Sequence, residues 1–179
     1  APLGLWVRGD RGRLTALDTE GDTLDEIGSL DGLGPGEEVK SVRFLGDLGY
    51  VVTFRTTDPL YALDLSDPRD PRLLGELKIP GFSEYLHPLG DGLLLGVGRE
   101  ADPTTGVATG LKVSLFDVSD PATPERLAQF DLGESSSSEV EHDHRAFLYW
   151  NGLALVPSTS WAFDSSRGES FRSGLVGID

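Results

Sequence analysis

The side chains best equipped for chemistry crowd into Glu139-Val140-Glu141-His142-Asp143-His144, where two imidazoles and three carboxylates fall within six residues. Imidazole nitrogen and carboxylate oxygen together suit zinc, copper or non-haem iron. In an extended segment His142 and His144, two apart, point to one face, an arrangement that serves chelation and plain exposure alike. The competing, structural expectation is that Asp143 and His144 make hydrogen bonds tying neighbouring parts of the fold together. A divalent metal, calcium or a transition ion, is the one cofactor these residues suggest. Calcium needs six to eight oxygens, and no run here has the acidic spacing and bidentate glutamate of an EF-hand loop.

A second group, Trp161, Phe163, Arg167, Phe171 and Arg172, mixes aromatic rings with guanidinium groups, the residue types that anchor partner contacts. A protein or glycan contact is one expectation for it, and a loop folded over its own sheet is the other. Nucleophile and phosphate signatures are missing. Gly168-Glu169-Ser170 lacks the closing glycine of a nucleophile elbow, and there is neither a GxGxxG nor a Walker loop. Ser135-Ser136-Ser137-Ser138 reads as a surface loop. Without cysteine there is no thiolate site and no disulfide. Thirty acidic against fifteen basic residues give a net charge of -15, which repels nucleic acid.

The elements that must position these residues are read from an internal repeat. Apolar strands close on Asp18, Asp64, Asp117 and Asp179, spaced 46, 53 and 62 residues apart. After two of them comes one turn in two copies, Ser66-Asp67-Pro68-Arg69-Asp70-Pro71 and Ser119-Asp120-Pro121-Ala122-Thr123-Pro124. Proline lacks an N–H, so these are turns, and Asp64, Asp67, Asp117 and Asp120 are expected to accept hydrogen bonds from them. Asp91-Gly92 and Asn151-Gly152 mark tight hairpins between apolar runs, as does Gly46-Asp47-Leu48-Gly49.

Four short antiparallel strands per unit, with no helical period between them, make an all-β, β-propeller segment of about three and a half blades. Residues 1–34 supply the last three strands of one blade, 35–81 and 82–133 are whole blades, and 134–179 supply the first three strands of another, with an insertion at 157–173. Fourteen strands result, as 3 + 4 + 4 + 3. An arc exposes unpaired edges, so further blades are expected from the same polypeptide or from another copy, completing a larger closed ring. Aligning the hairpins on Gly49, Gly92 and Gly152 puts Ser41, Glu84 and His144 at the start of the innermost strands. Glu84, His142, Asp143 and His144 are therefore the expected metal set, at the mouth of the channel. His87 aligns with Phe44 and Phe147 and reads as a packed core residue.

The chain contains no methionine and opens on Ala1-Pro2, as expected of a processed or interior segment. No apolar run reaches the length of a transmembrane helix.

Val39-Lys40-Ser41-Val42-Arg43-Phe44-Leu45-Gly46-Asp47, Tyr50 to Tyr61, Leu74 to Ser83, Leu94 to Gly98 and Gly110 to Pro121 resemble a family of secreted bacterial and archaeal β-propellers distantly related to WD-40 repeats. The strand and turn around Asp64 and Asp117 resemble the LVIVD-type repeat of surface propellers. The likeness covers about Ser29 to Pro157 and is weaker over the first 28 residues and over Ser158 to Ser173. It implies an exported, calcium-compatible or cell-envelope setting and carries no catalytic motif, while Asp143-His144 fits a family position without a known role. The expected function is a non-catalytic scaffold binding a protein, polysaccharide or other envelope partner through its loops. The alternatives are a metal-binding or metal-dependent site at the channel mouth and a structural subunit of a larger extracellular assembly.

Overall fold

The computed structural model describes residues 3–8, 12–19, 22–55, 58–102, 104–164 and 168–179. Among these there is no α-helix, and the strands fall into four antiparallel sheets taken in chain order. Leu3–Arg8 (β1), Arg13–Asp18 (β2) and Asp25–Leu30 (β3) form the first. Glu38–Leu45 (β4), Leu48–Phe54 (β5), Asp58–Asp64 (β6) and Arg72–Ile79 (β7) form the second. The third comprises Phe82–Gly90 (β8), Leu93–Ala101 (β9), Ala108–Asp117 (β10) and Glu125–Asp131 (β11). The last comprises Ser136–Ser137 (β12), Leu148–Trp150 (β13), Leu153–Asp164 (β14) and Gly168–Ile178 (β15).

The last sheet is irregular. Both β12 and β13 pair with one edge of β14, because β15 runs along the other edge from Ala154 to Asp164. The innermost strand is thus broken in two, so fifteen segments fill the fourteen places legible in the sequence. Between its halves lie two single-turn 3-10 helices, Glu139–Glu141 and His144–Ala146. The break faces Pro157, which has no N–H to lose, and the Ser138 hydroxyl donates to the Pro157 carbonyl. The stretch 157–173 is not a loop laid over its sheet. It lengthens β14 and β15 into a hairpin, its strands continuous to Asp164 and from Gly168.

Turn chemistry follows the aspartates. Asp64 accepts from the Ser66 N–H at 2.9 Å, and Asp117 from the N–H and hydroxyl of Ser119. Asp67 and Asp120 accept from Arg69 and Ala122 in the same way. Each turn then caps the neighbouring hairpin, with Leu65 N–H donating to the Asp47 carbonyl and Val118 N–H to that of Gly92, both at 2.7 Å. Asp91, Gly92, Asn151 and Gly152 all carry positive φ, the conformation a two-residue hairpin turn demands.

Apolar faces pack sheet against sheet. Leu14 and Leu33 meet Val51, Tyr61, Leu63 and Leu65 between the first two. Tyr50, Val52, Leu60, Ala62 and Ile79 meet Phe82, Leu86, Leu94 and Phe116 between the second and third. Leu95, Val97, Leu111 and Val113 meet Val140, Phe147, Ala154 and Val156 between the third and last. Each fully buried aliphatic chain contributes about 2 kcal/mol by leaving water.

Candidate functional site

An antiparallel sheet read in chain order brings the start of its first strand and the end of its second to one end. Lys40, Glu84, the 139–144 run and Trp161 all lie towards that end of their sheets. Lys40 and Glu84 are each the extra residue where the register of β4 or β8 slips, between Val39 and Ser41 and between Ser83 and Tyr85. A bulge re-aims its side chain. Lys40 Nζ lies 3.6 Å from Glu84, 3.1 Å from Glu38 and 4.8 Å from the centre of the Phe82 ring. Burial pushes the Glu84 carboxyl above the usual range, Lys40 opposes that rise and Glu141 adds to it. Beside them the Ser41 hydroxyl donates to the Ser83 carbonyl at 2.7 Å, joining β4 to β8.

The register corrects the alignment drawn on glycines. Gly49 lies within β5 opposite Phe44 and has no positive φ, whereas Gly46, with φ 60°, occupies the turn. Lys40, not Ser41, is therefore the counterpart of Glu84. His87, opposite Leu95, corresponds to Arg43 opposite Tyr50 and to Leu148 opposite Leu155, not to Phe44 and Phe147. It is packed nonetheless. The His87 ring lies 4.7 Å from Phe147 and 5.4 Å from Tyr149, and its Nδ1 is 2.9 Å from the Tyr85 hydroxyl. Burial, helped by the Arg43 charge, holds the imidazole below its ordinary pKa.

Within the 139–144 run, Glu141, Asp143 and His144 are held by local ties. Ser138 caps the first 3-10 turn by accepting from Val140 N–H, while Glu141 accepts from Ser138 N–H at 2.7 Å. Arg99 Nε lies 2.6 Å from Glu141. Asp143 caps the second turn, accepting from the backbone and side chain of Arg145, whose guanidinium holds that carboxyl below the usual range. His144 stacks on Tyr85 with ring centres 6.5 Å apart, and the Arg43 guanidinium lies 5.9 Å from the same ring. His142 is exposed beside a polar hollow of about 310 Å³ lined by Ser137, Ser138, Glu139 and Thr159. Glu84, Asp143 and His144 thus each have a different partner, and His142 stands apart from them. Among the described residues no three His, Asp or Glu side chains are grouped to hold a metal ion.

Trp161 and Phe171 face each other across β14 and β15, ring centres 4.8 Å apart, and both are more than half exposed. Arg172, opposite Ser160, is exposed as well. Phe163 is described only in its backbone, and Arg167 lies outside the described residues. Sequence reasoning missed Lys40 and Arg99 as members of this end of the molecule. Lys40 was hidden by its bulge, which breaks the alternation that reveals a strand's inward face. Arg99 was hidden by the distance of its partner, 42 residues away.

The sequence profile of the β-propeller domain family matches residues 6–176. An uncharacterized protein of Archaeoglobus fulgidus is 45% identical over 151 residues, covering 83% of this chain and 23% of its own length. An uncharacterized protein of Methanocaldococcus jannaschii is 44% identical over 149 residues, covering 82% of this chain and 22% of its own. The chain spans less than a quarter of either relative. With four antiparallel sheets packed face to face in sequence order and a profile matched along nearly the whole length, the chain belongs to the β-propeller domain family.

Proposed function

We propose that this chain is an arc of a larger, exported propeller that serves as a non-catalytic scaffold and binds a protein or polysaccharide of the cell envelope. The observation that carries the arc is one of register. Tyr50, Val52 and Leu60 in the second sheet, and Leu95, Val97 and Val113 in the third, hold matching positions and are buried against the next sheet. Their counterparts in the last sheet are Leu155, Pro157 and Leu175, and Leu175 is 68% exposed, with Leu148 and Trp150 on β13 uncovered as well. A face of that composition is an interaction surface. A further sheet is the cover that both precedents supply.

The scaffold reading draws support from the candidate site. Glu84, Glu141, Asp143 and His144 are engaged in caps, ion pairs and ring contacts rather than aimed at a common point. The uncovered Trp161 and Phe171 pair sits at the end of the same outward face. Export is supported by the resemblance of 39–61 and 110–121 to secreted propellers.

Sedimentation equilibrium tests the arc. The isolated chain is expected to self-associate at high concentration through the last sheet, and a Leu148→Lys, Leu175→Lys variant to stay monomeric. A parent chain that is monomeric at all concentrations sinks the arc. For the scaffold, the immobilised chain is expected to retain an envelope polysaccharide or protein fraction, and retention of neither overturns the binding half.

A further inference from the structure

An apolar groove of about 200 Å³ runs between the third and last sheets, lined by Val113, Leu115, Ala128, Phe130, Ile178 and Asp179 among others. Twice earlier in the chain the same place is filled, and both times by the same thing. Gly28 on β3, opposite Ala16, sits at a register slip, and a Cβ there would come within 2.3 Å of the Pro68 carbonyl oxygen. Gly75 on β7, opposite Ala62, sits at the matching slip, and a Cβ there would come within 2.5 Å of the Ala122 carbonyl oxygen. In each case the outermost strand of one sheet is covered by the Asp-Pro turn that leads into the outermost strand of the next.

The third copy of that seat is Ala128, opposite Leu115 at the same slip on β11, and it is exposed. Its neighbour Phe130 corresponds to Leu77, since Val113 faces Phe130 as Leu60 faces Leu77. Leu77 packs against the core of the next sheet, whereas Phe130 is 52% exposed. Along the other wall of the groove, β15 pairs only with β14 among the described residues, so its outer edge from Gly174 to Ile178 is open to a further strand. Asp179 follows Ile178 as Asp64 follows Leu63 and Asp117 follows Phe116, with Ile178 opposite Ala154 as Phe116 is opposite Leu94.

We infer that this groove is the seat of a turn and outermost strand joined directly to Asp179, the turn resting on Ala128 and Phe130 and the strand pairing with β15. The inference rests on the larger-ring reading and adds to it the occupant of one particular groove. Because Ala128 carries the Cβ that Gly28 and Gly75 lack, the turn stands slightly farther off here than at the two filled seats.

The test uses the whole chain lengthened after Asp179 by a second copy of residues 118–132, which follow Asp117 in the third sheet. The graft is expected to raise the thermal midpoint by about 5 °C and to slow amide exchange along β15. Ala128→Trp, placed at an exposed position, is expected to abolish that rise in the lengthened chain and to leave the unlengthened chain within about a degree of the parent. A graft that leaves both midpoint and exchange unchanged overturns the seat, as does a rise that survives Ala128→Trp. The larger-ring reading is judged separately, by sedimentation of the unlengthened chain and of its Leu148→Lys, Leu175→Lys variant.

Discussion

The Glu141 carboxylate, only 2% exposed, lies 2.6 Å from the Nε of Arg99, so a strand of the third sheet is clamped to the broken inner strand of the last. A second guanidinium nitrogen of Arg99 donates to Glu141 at 3.2 Å, and another donates to the Thr109 carbonyl. The two partners are not equally buried, and that decides which loss matters more.

Arg99→Ala leaves Glu141 charged and unpaired in the interior and is expected to cost about 3 kcal/mol of stability. Glu141→Gln leaves an arginine that reaches water, and the amide still accepts from Ser138, so about 1 kcal/mol is expected. Urea unfolding of both variants checks the order, and equal losses would show that the pair is not the clamp.

Glu84 gives a pH dependence of definite sign. Its carboxyl is raised in the folded chain, mainly by burial, so its contribution is fully present below the ordinary glutamate pKa and is lost as pH rises through the raised value. Glu84→Gln is expected to remove that decline, so that the variant gains on the parent as pH rises above the ordinary glutamate range. Unfolding curves through that rise in pH decide it.

Asp117 has the opposite sign. The Ser119 hydroxyl and N–H hold its carboxyl low, so its contribution is present above the ordinary aspartate pKa and is lost as pH falls through the lowered value. Asp117→Asn is expected to be less stable than the parent at pH 7, with the gap closing towards pH 2. Carboxyl chemical shifts through the titration, together with the acid-side unfolding curves, test this.

Glycines at the sheet contacts are not interchangeable with those at the open edge. Gly75→Ala drives a methyl group into the Pro121 and Ala122 carbonyls and is expected to cost about 2 kcal/mol. Gly174→Ala meets nothing within 4 Å and is expected to lie within about 0.5 kcal/mol of the parent, or to gain slightly from a stiffer strand. Thermal unfolding separates the two.

Most of the fold was legible because its signals are local. Strands ending on Asp64 and Asp117, the Asp-Pro turns and the Asp-Gly and Asn-Gly hairpins each act within a few residues. The candidate site was harder to read, because its geometry depends on bulges and on long-range partners. Gly49 lies within β5 rather than in the turn, and an extra residue at Leu89 separates Pro88 from Gly90 in β8, so an alignment anchored on Gly49 and Gly92 slid by one place. His142 and His144 were read as an extended pair. The capping box of Ser138 and Glu141 instead winds the segment into 3-10 turns and sends the two rings to different neighbours. The reach of β14 and β15 was hidden by serine and glycine, which are poor strand formers held in place here by cross-strand partners.

Every pairing in these sheets joins strands adjacent in the chain, apart from the contact of β12 with β14. Units so self-contained can be copied or dropped whole, without re-threading the rest, because a new sheet brings its own hairpins and needs its neighbours only for a face to lean on. Length is then an inexpensive variable for a lineage to explore, and the wear of duplication falls on the seams between units. Ala128 stands at such a seam, where two earlier copies keep glycine.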